Sequence, residues 1–451
     1  MTPFVPLMLF AWLPIIVFLF RWLPPHRAVL IAFLGGFLFL PQHSYPLPVL
    51  PDYDRSTATC YGVIIGMLLF DIDRLRHLKL GWIDLPMVVW CLCPFATSIS
   101  NDLGAYDGLL AMLKQISVWG LPYILGRMYF NSLDGMRQLA VGIFMGGLVY
   151  IPLCFYETVM SPQLHRMLYG FHQHSFAQTV RYDGYRPMVF LQHGLMVGSW
   201  MMSAGLIGIW LWRSKTIESV LGIPMKWLVI AQCTMVVLVK STGAWILMLL
   251  GLGVMYFSKW YRVAILVWLL VLAVPPYLYF SASGDMRTDA VVEFISENIN
   301  PDRAQSLRFR FNNEEPLARK ARERWIFGWG GWARAAIYSK YDGSQQSVSD
   351  SLWIVAYGAF GTVGLVSLTA TLLFPSIGFL ISYSAANWAH KRLAPVSAIM
   401  IILVLYTLDN LLNDMKIPLY ILGMGGLSGL LTKDSSKEQG IDISVSQRFL
   451  E

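Results

Sequence analysis

Long apolar stretches separated by short polar ones run through almost the whole chain. A membrane-spanning helix needs about 17 to 25 mostly apolar residues to cross the hydrocarbon core of a bilayer. By that measure the pattern predicts helices near residues 4–20, 28–42, 57–70, 82–99, 107–125, 138–156, 187–212, 222–239, 243–258, 261–280, 352–384, 394–410 and 416–432. The sequence therefore predicts an all-α polytopic membrane protein with 12 or 13 transmembrane helices.

Two polar segments interrupt this pattern, residues 157–186 (the first polar loop) and residues 281–350 (the second polar loop). A connection of about 70 residues exceeds ordinary loop lengths, so we expect it to be functional or to form a small helical subdomain. Within it, an Asn before acidic residues, an early Pro and basic residues at the far end predict a capped helix over 312–325. The glycines of 328–334 predict a tight turn.

Basic residues occupy every alternate connection between the predicted helices. Because Lys and Arg gather on the cytoplasmic side of a membrane, one orientation satisfies all of them. It places the N-terminus outside, residues 1–432 in a single transmembrane domain, and residues 433–451 in a cytoplasmic tail. The stretch 4–20 has no basic residues before it and no small-residue cleavage site after it, so we expect a retained helix.

Composition agrees with this picture, since 56% of the 451 residues are apolar and 14% are charged. The net charge is +7, but about half of the Lys and Arg residues lie in short loops where they would set the topology, so we expect no nucleic-acid partner. All five cysteines lie in apolar segments, where disulfides and metal–thiolate sites are not expected.

Two short motifs are better explained by structure than by chemistry. The sequence DID (71–73) lies at a predicted cytoplasmic helix end beside two arginines, which favours a charged helix boundary over a metal–nucleotide site. The sequence GGLSG (425–429) carries small residues four apart, which lets membrane helices pack closely.

Two arginines stand where topology does not require them. Arg181 and Arg186, in VRYDGYRPMVF (180–190), precede a predicted helix on the side that basic residues should avoid. One interpretation is an ion pair with Asp183 or Glu157. The other is an anion site, because a guanidinium stays charged and binds phosphate oxygens through paired hydrogen bonds. The second polar loop offers matching cations, Arg308 and Arg310.

Two further residues are candidates for the same site. His193 is predicted to lie on the same helix as Arg186 and, seven positions on, on nearly the same face. It would hydrogen-bond to sugar or phosphate, or else be a buried structural histidine. Lys240, where two short helices turn, is either an interfacial anchor or another cation of the site. The histidines 172, 174 and 193 lack carboxylate partners at a telling spacing, so no metal is expected.

Several motifs together resemble the bacterial O-antigen ligase and O-antigen polymerase superfamily over roughly residues 100–432. They are R-x-x-G-Y-R-P (181–187), RF-x-N-E-x-x-L-x-x-x-A (310–321), FGWGGW (327–332) and SDSLWIVAYGAFGTVGL (349–365). Members of that superfamily are metal-independent inner-membrane glycosyltransferases of the GT-C type. They move a glycan from undecaprenyl diphosphate to a sugar acceptor at the periplasmic face.

The resemblance implies a bacterial inner-membrane protein with a periplasmic N-terminus and no cofactor. Its partners would be the lipid-linked donor, a glycan or lipid-linked acceptor, and membrane lipids. The family's loop arginines bind the diphosphate, a role that passes to Arg181 or Arg186 and to Arg308 or Arg310. Ligases usually carry a His before the closing helix as a candidate base, whereas this chain has SVSDSLW, with Asp350 as the nearest titratable group.

The residues and the resemblance together give one mechanistic expectation. Arg186 and Arg310 hold the diphosphate with help from Arg181 and Arg308, because fixed guanidiniums stabilise the charge that develops on the leaving oxygens. Asp350 is the candidate base of an inverting displacement. The remaining predicted substrate contacts are His193, Lys240 and the sugar-stacking residues Trp329, Trp332 and Tyr338.

Two other classes of function stay open at this point. A lipid-linked glycan flippase would carry its cations along a path at the bilayer midplane. A non-catalytic scaffold of envelope assembly would turn nothing over. Within the transferase interpretation the sequence leaves open ligase or polymerase, the sugar and its linkage.

Overall fold

The computed structural model describes residues 1–48, 50–285, 288–298, 301–331 and 333–432. Within those residues the protein has eight apolar helices long enough to cross a membrane and five shorter ones. Sheet is confined there to three two-stranded hairpins. This architecture is the all-helical one that the sequence predicts, and it fits a multi-pass membrane protein. The predicted tail at 433–451 lies outside the described residues.

The helices of more than ten residues are numbered in chain order. They are α1 (Phe4–Trp22), α2 (Pro25–Phe39), α3 (Arg55–Phe70), α4 (Trp82–Ser100), α5 (Ala105–Tyr129), α6 (Leu133–Met160), α7 (Gly194–Arg213), α8 (Met225–Leu238), α9 (Thr242–Tyr261), α10 (Ile265–Ser283), α11 (Thr288–Asn298), α12 (Pro301–Arg322), α13 (Leu352–Ser382), α14 (Ala394–Asp409) and α15 (Pro418–Thr432). The antiparallel hairpins are β1 (Tyr45–Leu47) with β2 (Leu50–Tyr53), β3 (Val180–Arg181) with β4 (Gly184–Tyr185), and β5 (Ser219–Val220) with β6 (Ile223–Pro224).

For twelve of the predicted membrane helices, the predicted bounds lie within a few residues of the bounds of an observed helix. Small shifts arise because polar caps, and not hydrophobicity, set where a helix starts. At α3, for example, the Asp54 carboxylate accepts the backbone N–H groups of Ser56 and Thr57 at 2.8 and 2.9 Å.

The helix predicted from residue 187 is wrong at its start, because α7 begins only at Gly194. The buried carboxylate of Glu157 on α6 accepts the amides of Met188 and Val189 at 2.8 and 2.7 Å. It also accepts the amide of Leu164 at 2.9 Å. Glu157 therefore holds the chain after Pro187 in a non-helical path, which a local apolar pattern does not reveal.

The helix predicted over 312–325 is also wrong at its start. The observed helix α12 begins at Pro301 and runs through Pro316 to Arg322, so Asn312 lies inside it and is not its cap. A separate helix, α11, precedes it in the same loop. The second polar loop thus carries more helix than the sequence predicts.

The tight turn predicted at 328–334 is present and fits into a break in α13. Gly328 and Gly330 have φ of +69° and +87°, and Gly361 inside α13 has φ of +65°. Across this contact the amides of residues 329 and 330 donate to Gly358 and Ala359 at 2.9 Å each. In return, residues 362 and 363 of α13 donate to the carbonyls of residues 325 and 326.

The centre of the bundle is formed by α7, α14 and α15, which are almost entirely buried. Around them, α7 packs against α6, α8, α9 and α14, and α15 packs against α5. A Cβ built on Gly425 would lie 1.9 Å from the carbonyl oxygen of Tyr123, and one on Gly429 would lie 2.5 Å from Asn131 Cβ. The prediction that GGLSG serves close packing is therefore confirmed.

At two other places the charges are paired. Within DID, Asp71 lies 3.3 Å from Arg74 and Asp73 lies 2.9 Å from Arg76, as expected for a charged helix boundary. Between α4 and α5, the buried side chains of Asp84 and Arg127 pair at 2.9 Å.

We predict that Gly425→Ala destabilises the bundle by about 1 to 3 kcal/mol, because the added methyl meets rigid backbone and forces α15 away from α5. Thermal unfolding in detergent measures this loss. Gly253→Ala in α9 is the control, since a Cβ there meets no atom within 4 Å. Equal melting temperatures for the two variants would contradict the role of Gly425 in close packing.

Candidate functional site

The stretch VRYDGY folds into a tight hairpin, β3 with β4, and Arg181 is the last residue of β3. Arg181 pairs with Gly184 across a two-residue turn whose central residues, Tyr182 and Asp183, have φ of +49° and +52°. Two positive φ values are typical of the turn that suits a twisted antiparallel pair. The Tyr182 hydroxyl lies 2.6 Å from Thr242 Oγ1, and its ring stacks on Trp245 at 5.9 Å. The hairpin is therefore fixed to the start of α9.

Lys240 joins this hairpin to the connection between α8 and α9. Its Nζ donates to the Tyr182 carbonyl at 3.2 Å. Its own carbonyl accepts both Nε and Nη2 of Arg186, each at 3.3 Å. Lys240 has φ of +50°, an unusual backbone conformation that these contacts hold in place.

Arg186 lies over the first residue of α7. A Cβ built on Gly194 would lie 2.3 Å from Cδ of Arg186, and the arginine is only 4% exposed. A helix N-terminus carries a partial positive charge. The nearly buried guanidinium of Arg186 beside it increases the positive electrostatic potential at that point. An anion at this point would be stabilised by both.

His193 caps α7 and does not lie on the same helix as Arg186, so that prediction is wrong. Its Nδ1 accepts the Leu195 amide at 3.0 Å. The neutral ring then carries its proton on Nε2, which donates to Gln178 Oε1 at 3.0 Å. Both ring nitrogens of His193 therefore have protein partners.

Arginines from both polar loops lie close enough to His193 to affect its pKa. Burial, more than any other cause, lowers the pKa of His193 to about 3. The charges of His174, Arg186, Arg181 and Arg310 contribute to that lowering, in that order of size. Since charge effects fall off within about 10 Å in salt solution, these three arginines share one neighbourhood. We call Arg181, Arg186 and Arg310 the arginine cluster.

Arg310 reaches the cluster from α12 and is held by the connection between α14 and α15. Its Nη2 donates to Asn413 Oδ1 at 3.1 Å, and Asn413 Nδ2 donates to Asp409 Oδ1 at 2.7 Å. Among the described residues Arg310 forms no ion pair with a carboxylate, and its partner is a neutral amide. Arg308 is exposed and, two positions earlier, lies about 200° around the helix on a different side.

Sequence reasoning gave no role to Glu314, the glutamate of the motif RF-x-N-E, which lies one turn after Arg310 on α12. It is 5% exposed, and its Oε1 accepts the hydroxyl of Ser351, the residue before α13. Burial raises the pKa of Glu314 to about 7, although the Ser351 hydrogen bond and the Arg310 charge lower it. Asp350 is half-buried close by, since its charge also raises the pKa of Glu314. The four-residue spacing from Arg310 was the available signal.

Two of the predicted sugar-stacking residues, Trp329 and Tyr338, lie around Lys320 and away from Arg310. The Nζ of Lys320 lies 5.1 Å and 6.0 Å from the ring centres of Trp329 and Tyr338. Lys320 follows Arg310 by ten positions, which is about 15 Å along a helix. Trp332 lies outside the described residues. Sugar stacking by these three aromatic residues stays a prediction.

A polar cavity of about 350 Å³ is lined in part by Gln192 and Asp414, the chain neighbours of His193 and Asn413. Its polar lining comes from four places in the chain: Gln42, His43 and Ser44; Asp54, Arg55 and Ser56; Gln192; and Asp414 with Lys416. Gln192 directly precedes His193, and Asp414 directly follows Asn413, so two walls of the cavity lie next to residues that neighbour the arginine cluster. The volume lies within the range of ligand pockets, about 300 to 1,000 Å³.

The cluster and cavity together suit a multiply charged anion attached to a polar group. Guanidiniums match phosphate oxygens in geometry and charge, and mixed polar side chains suit hydroxyl groups. Within the described part of the chain, no group of three His, Cys, Asp or Glu residues is arranged to hold a metal ion.

Comparison with known proteins adds no relative. No protein-family model matches the chain, and no curated protein sequence matches it. The resemblance to the O-antigen ligase and polymerase superfamily therefore rests on the motifs alone.

Proposed function

We propose that the protein is a bacterial inner-membrane glycosyltransferase of the O-antigen ligase or polymerase type. It moves a glycan from undecaprenyl diphosphate to a sugar acceptor at the periplasmic face. One observation carries the proposal: Arg181 and Arg186 of the first polar loop and Arg310 of the second act on the same histidine at the start of α7. Residues 124 positions apart, Arg186 and Arg310, thus serve one anion site.

The electrostatics of the cluster suit the departure of a diphosphate. Displacement at the anomeric carbon leaves negative charge on the leaving oxygens, and guanidiniums fixed in advance stabilise it where it appears. Arg186 is nearly buried, so its field is screened less than that of a surface arginine. His193 stays neutral at physiological pH because of its low pKa, so it adds no further positive charge beside the arginines.

The reaction follows from that arrangement. The acceptor hydroxyl attacks the anomeric carbon while the bond from that carbon to the diphosphate oxygen breaks, and the configuration inverts. Undecaprenyl diphosphate leaves on the arginine cluster, and the hydroxyl proton passes to a protein base. The polar cavity beside Gln192 and Asp414 gives the sugar rings room next to the phosphates.

The proposed orientation is consistent with the order of the helices. With the N-terminus in the periplasm and the five shorter apolar helices counted as spans, odd-numbered spans begin there, and α7 is the seventh apolar helix of the described residues. Its start, where Arg186 and His193 lie, is then periplasmic. Both polar loops fall on that same side.

The position of the cations favours a transferase over a flippase. Arg186 lies before α7, Lys240 between α8 and α9, and Arg310 on a loop helix, so all three lie at helix ends or outside the spans. A translocation path would require such groups near the bilayer midplane. A scaffold would show no turnover at all.

We predict that Arg186→Ala and Arg310→Ala each weaken binding of undecaprenyl diphosphate about ten- to hundredfold, the loss expected for charge-assisted hydrogen bonds. Binding is measured on protein in lipid nanodiscs. Each variant should also fail to restore surface glycan in a strain from which the gene is deleted. Arg319→Ala on α12 is the control, because Arg319 is exposed and pairs with Glu315. If both variants bind the lipid and restore glycan as the control does, the arginine cluster is not a donor site.

We predict that Gly194→Ala weakens the same binding about tenfold without removing any charge. The new Cβ would lie 2.3 Å from Arg186 Cδ and push the guanidinium away from the start of α7. Gly243→Ala is the matched control at the start of α9, where a Cβ meets no atom within 4 Å. Unchanged affinity in Gly194→Ala would show that the placement of Arg186 on α7 does not matter for binding.

A further inference from the structure

The geometry points to Glu314, and not Asp350, as the base that accepts the proton of the acceptor hydroxyl. This inference rests on the proposed transferase function. It concerns a residue of α12, a helix that contacts two other parts of the chain here, Ser351 before α13 and Asn413 before α15.

Glu314 and Arg310 are neighbours on one face of α12. Residues four apart on a helix have Cβ atoms about 5 to 6 Å apart, and both side chains are long. An inverting displacement needs a phosphate-binding group on the leaving-group side of the anomeric carbon and a base beside the acceptor hydroxyl on the opposite side. The pair therefore provides both functions from a single rigid element.

The surrounding contacts fix this pair with respect to the bundle. Ser351 donates its hydroxyl to Glu314 Oε1, and the next amide, of Leu352, donates to the Asn413 carbonyl at 3.0 Å. The Asn413 side chain in turn accepts from Arg310. α12, the start of α13 and the connection before α15 thus meet around the two side chains. A carboxylate held this way is pre-organised for one proton transfer.

The environment of Glu314 suits a base that works near neutral pH. A base is most effective when its pKa lies near the working pH, and burial brings the pKa of Glu314 to about 7. The charged and titratable groups that face it are Arg310 on its own helix, Asp350 ahead of α13 and Tyr277 on α10. His193 is a poor alternative, because both its nitrogens have partners and its pKa lies far below neutral.

The step balances without a co-reactant. The acceptor oxygen forms a bond to the anomeric carbon and gives its proton to the Glu314 carboxylate. The electron pair of the broken bond stays on the diphosphate oxygen, held by the arginine cluster. Glu314 then releases the proton to solvent before the next turnover.

Glu314→Gln tests the inference on protein in nanodiscs, with lipid-linked glycan extracted from the deletion strain as the donor probe. We expect release of undecaprenyl diphosphate to fall about a hundred- to ten-thousandfold, the usual contribution of a general base, while binding of undecaprenyl diphosphate is unchanged. Glu315→Gln is the matched control, since Glu315 is exposed and pairs with Arg319. If Glu314→Gln transfers at the wild-type rate, or if it loses binding together with transfer, the inference is overturned.

Ser351→Ala separates a base from a merely structural glutamate. The Ser351 hydrogen bond stabilises the charged carboxylate, so its loss raises the pKa of Glu314 further. Transfer by the wild type should rise with pH through about 7, and in Ser351→Ala that rise should move to higher pH with the plateau rate kept. A structural role predicts no such shift, and loss of transfer in Asp350→Asn alone would assign the base to Asp350.

Failure of the proposed function gives a different result. In that case the wild-type protein itself releases no undecaprenyl diphosphate from the extracted donor. If the wild type transfers and Glu314→Gln does too, the function stands and the inference about Glu314 falls.

Discussion

A nearly buried guanidinium at the positive end of a helix is the constraint on which the site depends. Arg186 lies over the start of α7, where its charge and the helix dipole add. Its neighbours offset the cost of burying this charge in specific ways: Gly194 leaves room for the side chain, the Lys240 carbonyl accepts two of its N–H groups, and His193 remains neutral.

The fold follows from local sequence to a large extent, whereas the site does so only in part. The apolar lengths alone place the membrane helices, because crossing a bilayer demands about 20 such residues. The start of α7 cannot be predicted from apolar length, because the Glu157 carboxylate accepts hydrogen bonds from amides more than 30 positions later in the chain. The burial of Glu314 likewise depends on Ser351, 37 positions away. Both contacts exist only once the helices have packed.

The arginines, too, could be predicted only in part from the sequence. Their charge and their place in the two polar loops make them candidates for an anion site on sequence grounds alone. The helix periodicity of α12 then separates residues that the sequence treats alike, since Arg310 faces Asn413 while Arg308 is exposed on another side. Residues close together in the sequence can thus have unequal roles, because the helix periodicity determines which side of α12 each one faces.

The break in α13 ties the second polar loop to the membrane helices. At Gly361 the helix interrupts its own ladder, and the turn around Gly328 satisfies backbone groups on both sides of the break. Exposed backbone amides are not tolerated next to hydrocarbon. A protein shortened by removing this loop would leave α13 with orphaned peptide groups, so the loop and the span form one folding unit. The second polar loop therefore cannot be exchanged as a separate domain. Natural variation in it has to preserve the backbone contact between the turn at Gly328 and the break at Gly361.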